Sequence, residues 1–260
     1  MRVALGIEYD GTAYVGWQRQ KSGIGVQAIL EKTLSQVANE PVAVVCAGRT
    51  DTGVHATGQV VHFDTSAQRT DRGWLLGANS NLPDDINVVW AAHVSDDFHA
   101  RFSATRRSYR YLILNRPYRS ALQRNRVWWV HEPLDEMLMQ EAANYLVGKH
   151  DFSAFRAAGC QASSPIRDLS ELSIQRHGEW LTITVRANAF LQHMVRNVTG
   201  TLVAIGRGEQ PPAWAQSVLQ SRDRSKGGIA APAHGLTLID VKYPDTFDVP
   251  QNSCTEEIRL

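Results

Sequence analysis

The chain has 260 residues, 43% of them hydrophobic and 20% charged, with a formal net charge of +1. That composition points to a soluble globular protein and excludes low-complexity or collagen-like polymers. At this length two domains of about 100 to 150 residues each are expected.

No apolar run approaches membrane-spanning length, and Glu8 falls where a signal peptide would continue its apolar region, so the expected location is the cytoplasm. Cys46, Cys160 and Cys254 are odd in number and far apart, and the nine histidines are scattered. Neither set offers a disulfide framework or metal-ligand spacing, so no metal is expected.

In chain order, Val3, Leu5, Ile7 and Tyr9 alternate and predict a half-buried strand, broken at Asp10-Gly11-Thr12. The Gly16–Lys21 loop carries Trp17 and Arg19. Val26, Ile29, Leu30, Thr33, Leu34 and Val37 repeat at helical spacing and predict a helix over 26–38. An unbroken apolar, valine-rich run over 42–46 and a second run over 60–63 predict strands on either side of a polar loop. A helix over 71–79 and an apolar strand over 86–94 follow, with a domain boundary near 95–106.

The second half predicts strands over 107–114 and 127–130, then a helix over 134–147 capped by Gly148. An aromatic loop over 151–156 leads to a hairpin of 169–174 with 181–187 across His177-Gly178. A helix over 190–206 bunches Gln192, His193, Arg196 and Asn197 near its start. A short helix over 212–219, a strand over 236–243 and an acidic tail over 245–260 complete the chain. Without regular β-α-β alternation, the reading is two α+β domains, 1–103 and 104–244, of mainly antiparallel sheet flanked by helices and meeting at a basic cleft.

Two stretches carry candidate chemistry. Between its hydrophobic flanks, Gly48-Arg49-Thr50-Asp51-Thr52-Gly53 presents a carboxylate two residues from an arginine, and both glycines are expected to supply angles that side chains avoid. The plain alternative is an ordinary turn in which Asp51 bonds its own backbone. From Arg101 to Arg126 there are eight arginines, Arg107 and Arg110 among them, and no Asp or Glu. With Tyr109, Tyr111 and Tyr118 interleaved, the block suits phosphate neutralisation and base stacking, or else a solvated basic edge.

These motifs coincide with a known pattern. Tyr9-Asp10-Gly11-Thr12 with Gly16-Trp17-Gln18, Gly48-Arg49-Thr50-Asp51 with Gly53-Val54-His55-Ala56, Phe98-His99-Ala100-Arg101-Phe102 and Tyr109-Arg110-Tyr111 stand in order. Asp151-Phe152 with Phe155-Arg156, His193-Met194-Val195-Arg196-Asn197 with Gly200, and Ala231-Pro232-Ala233 with Gly235-Leu236 complete it. The whole chain resembles the tRNA pseudouridine synthase I family.

The resemblance implies the pseudouridine synthase fold and isomerisation of uridine to pseudouridine at positions 38, 39 and 40 of the tRNA anticodon stem-loop, by a homodimer without cofactor. It implies Asp51 as the catalytic carboxylate, acting through a covalent sugar adduct or a glycal. Tyr109 would stack on the target base, Arg196 would keep Asp51 ionised, and Arg49 would fill the gap left by the flipped nucleotide. Arg19, Arg107, Arg110 and His193 are expected RNA contacts, whereas His55 reads as packed for shape. Ser108 stands where relatives often carry another cation. The alternatives are another RNA or position, or a non-catalytic RNA-binding protein. A glycosidase would need a second carboxyl with the same framing, and no other segment presents one.

Overall fold

The computed structural model describes residues 1–20 and 22–250. Cys254 and most of the expected acidic tail lie outside them; within that tail, Asp245–Phe247 forms a single 3-10 turn. The chain divides into two compact units, Met1–Arg107 with the residues from Leu238 onward, and Ser108–Thr237.

The first unit opens with β1 (Arg2–Tyr9), α1 (Val26–Ala38), β2 (Val45–Cys46), β3 (His55–Asp64), α2 (Asp71–Asn79) and β4 (Ile86–Val94). The half-buried reading of β1 needs correction. Every residue from Val3 to Ile7 is buried, because β1 is an inner strand with antiparallel neighbours on both sides, Leu5 pairing with Val61 and with Ala91. One face packs under α1 and α2 through Leu30, Leu34 and Trp74, all fully buried.

The valine-rich run over 42–46 also behaves differently from its expectation. Only Val45 and Cys46 pair as a strand. The N–H groups of Val42 and Val44 are taken instead by α1 side chains, Ser35 Oγ at 2.9 Å and Glu31 Oε1 at 3.1 Å. A backbone donor must be satisfied somewhere, and here a helix supplies the acceptors that a strand would have supplied.

The second unit holds most of β5 (Arg106–Asn115), then β6 (Trp128–Val130), α3 (Glu136–Asn144), β7 (Gly148–Asp151), β8 (Ile166–His177), β9 (Trp180–Ala187), α4 (Met194–Gly206) and α5 (Trp214–Ser221). Its strands run in the order β5-β9-β8-β7, with the short β6 parallel to β5. Asp135 caps α3, accepting from Met137 N and Leu138 N.

Several boundaries move, among them the start of β3, which lies at His55 rather than at 60. Gly148 does not cap α3, which ends at Asn144, but opens β7 against β8. The hairpin turns across Gly178-Glu179, with His177 and Trp180 paired. And α4 starts at Met194 rather than at 190, because His193 takes a left-handed conformation, φ 61°, that the helix cannot pass through. The last strand, β10 (Leu236–Lys242), lies next to β3, so the first unit's order is β4-β1-β3-β10. The fold class is α+β with mainly antiparallel sheet, as the sequence indicates. Among the described residues no helix is long and apolar enough to cross a membrane.

Candidate active site

Asp51 sits half-buried in the loop between β2 and β3. The loop is fastened from three directions. From below, Gln59, fully buried on β3, grips Gly48: its Nε2 donates to the Gly48 carbonyl at 2.6 Å while its Oε1 faces the Gly48 N–H at 3.4 Å. From the side, the segment after β1 holds Thr50. The hydroxyls of Tyr9 and Thr50 are 2.7 Å apart in the interior, and Trp17 N–H donates to the Thr50 carbonyl at 3.0 Å.

That approach explains Gly16, where a Cβ would stand 2.7 Å from the Thr50 oxygen and 3.0 Å from the Asp51 carbonyl carbon. Gly16 also has φ 97°, a conformation that side chains rarely take. Within the loop itself, Val54 N–H closes a turn on the Asp51 carbonyl at 3.1 Å and Gly53 takes φ 78°. Gly48 is not among the left-handed glycines, so of the two only Gly53 plays the expected conformational part.

The third fastening is Arg107, which is buried. Its guanidinium donates to the carbonyls of Ala47 at 3.0 Å, Arg101 at 2.6 Å and Ala104 at 3.1 Å. A cation with three fixed carbonyl partners works as a clamp between the Asp51 loop and the 101–104 segment.

His55 follows the loop as the first residue of β3 and is buried, its Nδ1 accepting from Gly11 N–H at 3.0 Å with an Asp10 carboxylate oxygen 3.1 Å away. Arg49 is exposed. It and Arg101 both pull the Cys46 thiol towards ionisation, but burial dominates and pushes that thiol up to about 12. Arg19 is exposed and pairs with the buried Glu31. It borders a groove of about 600 Å³ along α1, shared with Lys32 and Pro41, rather than the Asp51 loop.

In the second unit, Tyr109 on β5 is buried, its ring meeting Phe190 edge-on with centroids 5.1 Å apart. Arg110, next along, is half-buried. Tyr111 is fully buried and donates to the Pro232 carbonyl at 2.7 Å; burial pushes its hydroxyl far up, so it stays a neutral donor. Arg196, half-buried in the first turn of α4, donates through Nε to the Ala231 carbonyl at 2.8 Å, and its own carbonyl accepts from Ala231 N–H at 3.0 Å. The 231 segment therefore sets the direction of the Arg196 fork.

His193 is the half-buried cap whose carbonyl accepts from Asn197 N–H. Asn197, at first sight part of a polar face, is buried and used for packing, donating to the Phe155 carbonyl at 2.8 Å and accepting from Arg224 at 3.0 Å. Among the described residues no group of three or more His, Cys, Asp and Glu is placed to hold a metal ion.

The Tyr9-Asp10-Gly11-Thr12 and Gly16-Trp17 motifs thus serve to cradle a carboxylate loop, and the Ala231-Pro232 motif to seat an arginine and a tyrosine. A family model described as tRNA pseudouridine synthase matches residues 6–103 and 142–244. The chain belongs to the tRNA pseudouridine synthase family. Relatives include the tRNA pseudouridine synthase A of Pseudoalteromonas atlantica, 57% identical over 251 residues that cover 96% of this chain and 95% of that protein. That of Vibrio campbellii is 55% identical over the same shares, and that of Coxiella burnetii 54% over 96% of each chain. The matched segments contain the Asp51 loop and the α4 helix of Arg196.

A pH dependence follows from the packing beside the loop. His62 on β3 is buried; its Nδ1 accepts from Ala100 N–H at 3.1 Å, and the His99 ring, Arg2 and Asp64 face it. Burial first, then His99 and Arg2, hold its pKa down at about 4. Between about 6.5 and 4 the unfolded chain therefore binds more protons than the folded one, so stability is complete above that window and is lost as pH falls through it. The loss is at most about 3 kcal/mol from this group. Urea midpoints measured from pH 7 to pH 4 are expected to fall more steeply in the wild type than in His62→Gln; parallel curves would assign the acid lability elsewhere.

Proposed function

We propose that the protein isomerises uridine to pseudouridine in tRNA, at positions 38, 39 and 40 of the anticodon stem-loop, as a cytoplasmic homodimer needing no cofactor. The observation that carries this is the Asp51 loop: a carboxylate held at a strand exit by Tyr9, Thr50, Gln59 and Arg107, in a chain of this family. Isomerisation breaks the N1 glycosidic bond, turns the base over and joins C5 to C1′, with the C5 proton leaving to solvent and N1 taking up a proton in its place. Asp51 is the group that acts at the sugar, as nucleophile at C1′ or as base.

Tyr109, Arg49 and Arg196 bind the flipped nucleotide. Arg110, Arg19 and His193 are assigned to the RNA backbone. Arg107, buried with its donors on three carbonyls, is assigned to shaping the Asp51 loop and, through it, to RNA binding.

The test is incubation with tRNA carrying tritium at uracil C5. The expected result is tritium release with no strand or glycosidic cleavage. Free uracil would indicate a glycosidase, and binding without release an RNA-binding protein.

Tyr109 gives a second, graded test. Its ring is braced edge-on by Phe190, so Tyr109→Phe keeps the stacking face and Tyr109→Leu removes it. A base stacked on an aromatic contributes roughly 1–3 kcal/mol, so Leu is expected to weaken capture of the target nucleotide about 5- to 150-fold and Phe to leave it unchanged. If the hydroxyl handles the C5 proton, Phe binds normally and turns over slowly with a larger C5 isotope effect. Wild-type binding and rate in both variants would make Tyr109 a packing residue.

A further inference from the structure

The segment from Phe98 to Ser103 has no part in the reaction as assigned above, yet it is built with care. Its base is interior. Phe98 is fully buried, with ring centroids 4.9 Å from Tyr243 and 5.4 Å from Phe247. Ala100 is fully buried, its carbonyl accepting from the Tyr243 hydroxyl at 2.7 Å.

The tip is the opposite: Arg101 is exposed and Phe102 keeps 75% of its surface in water. A single exposed aromatic is ordinary on a protein surface. What distinguishes this one is how it is held. His99 Nδ1 accepts from two backbone N–H groups, Arg101 at 3.2 Å and Phe102 at 3.1 Å. Ser103 closes the turn from the other side, its N–H on the His99 carbonyl at 2.9 Å and its Oγ on His99 N–H at 3.0 Å.

With Nδ1 occupied as an acceptor, the imidazole is neutral, and burial together with Arg2 keeps it so. That neutral ring stacks on Phe102 with centroids 4.4 Å apart and planes at 30°, and the Arg101 guanidinium lies 5.5 Å from the Phe102 centroid. The result is a preformed aromatic platform with a cation lying over it, a combination suited to a base and its phosphate.

The platform is also fixed to the Asp51 loop. The buried Arg107 guanidinium that donates to Ala47 donates to the Arg101 carbonyl as well. Arg49 and Arg101 both act on the Cys46 thiol, so two exposed cations flank the same strand exit.

We propose that Phe102 and Arg101 form a second nucleotide subsite, in which an unpaired base of the RNA substrate stacks on Phe102 while its phosphate pairs with Arg101. This rests on the RNA-modifying reading of the Asp51 loop. Prepaid ordering of the turn means that binding there loses little conformational freedom.

The experiment uses the full chain and the tRNA of the tritium assay, with equilibrium binding as the readout and thermal denaturation as a check of folding. Phe102→Ala is expected to bind tRNA about tenfold more weakly and Phe102→Trp to bind within about twofold of wild type. A tRNA made abasic across the unpaired anticodon loop is expected to bind the wild type about tenfold more weakly, with no further loss on Phe102→Ala. Arg101→Gln is expected to lower the slope of log affinity against log salt by about one.

Wild-type affinity in Phe102→Ala, failure of Trp to restore binding, or an undiminished penalty with the abasic RNA would each overturn the subsite. A change in sedimentation of Phe102→Ala with unchanged tRNA affinity would overturn it in favour of a contact between copies of the chain. A wild-type protein that releases no tritium refutes the proposed function itself, whereas normal release with normal Phe102→Ala binding refutes only the subsite.

Discussion

Asp51→Asn is expected to abolish tritium release, lowering turnover by about a thousandfold or more, which is over 4 kcal/mol of transition-state stabilisation. The amide keeps the size of the carboxylate but can neither add to a sugar carbon nor take a proton. Fold and RNA affinity should survive, because the loop is fixed by other groups: the Tyr9–Thr50 hydroxyl contact, the Gln59 grip on Gly48, Trp17 N–H on Thr50, and the Asp51 main-chain carbonyl. The expected signature is therefore a kcat near background, a tRNA Kd within about threefold of wild type and an unchanged denaturation midpoint. Ordinary turnover by the Asn variant would remove Asp51 from the chemistry, and with it the reading of the loop.

Gly200→Ala is expected to be among the most damaging single substitutions for stability. Gly200 lies mid-helix in α4, where glycine is normally unfavourable relative to alanine. Here the preference reverses, because a Cβ would stand 1.6 Å from the Ile229 carbonyl oxygen, a backbone atom that cannot rotate away. The same strap is bound to α4 at neighbouring points: Gly228 N–H donates to Thr201 Oγ1 at 3.1 Å, and Ala231 exchanges two hydrogen bonds with Arg196. Relieving the clash means moving the strap and breaking these bonds. A cost of about 3 kcal/mol follows, read as a drop in Tm of roughly 5 to 10 °C. Because the acceptor that aims Arg196 moves with the strap, turnover should fall more than tRNA affinity. A Tm within about a degree of wild type would show that the strap is free to shift.

Much of the fold was legible from residue order. The α1 helix, with its apolar repeat from Val26 to Val37, and α2 from Asp71 to Asn79 fall where the periodicity places them, since a 3.6-residue repeat is a local property of the chain. The strands over 86–94 and 181–187 were readable for the same reason with a repeat of two or an apolar run. The readings that moved depended on a partner elsewhere. Alternation in β1 suggested one wet face, but neighbours on both edges and the Trp90 indole lying against Gly6 leave every residue from Val3 to Ile7 buried, with Glu8 exposed. Gly148 resembled a helix cap until pairing with Leu169 made it the start of a strand.

For the candidate site, the sequence by itself determined the framed Asp51, the neighbouring Arg49, the basic block with Tyr109, and the family to which these motifs belong. Only the tertiary structure decided what each supporting residue is for. Arg107 counted with the exposed cations in the sequence, but a guanidinium surrounded by three carbonyls is a clamp. Asn197 counted with a polar helix face, but it is a buried fastener. Gly16 and Gly200 were motif letters until the backbone atoms beside them left no room for a Cβ. The reason is physical: charge, period and motif spacing are carried along the chain, whereas the desolvation of a cation, the partner of a buried amide and the approach of two backbones depend on residues distant in sequence, as Ala47 is from Arg107, Phe155 from Asn197 and Thr50 from Gly16, and exist only once the chain has folded.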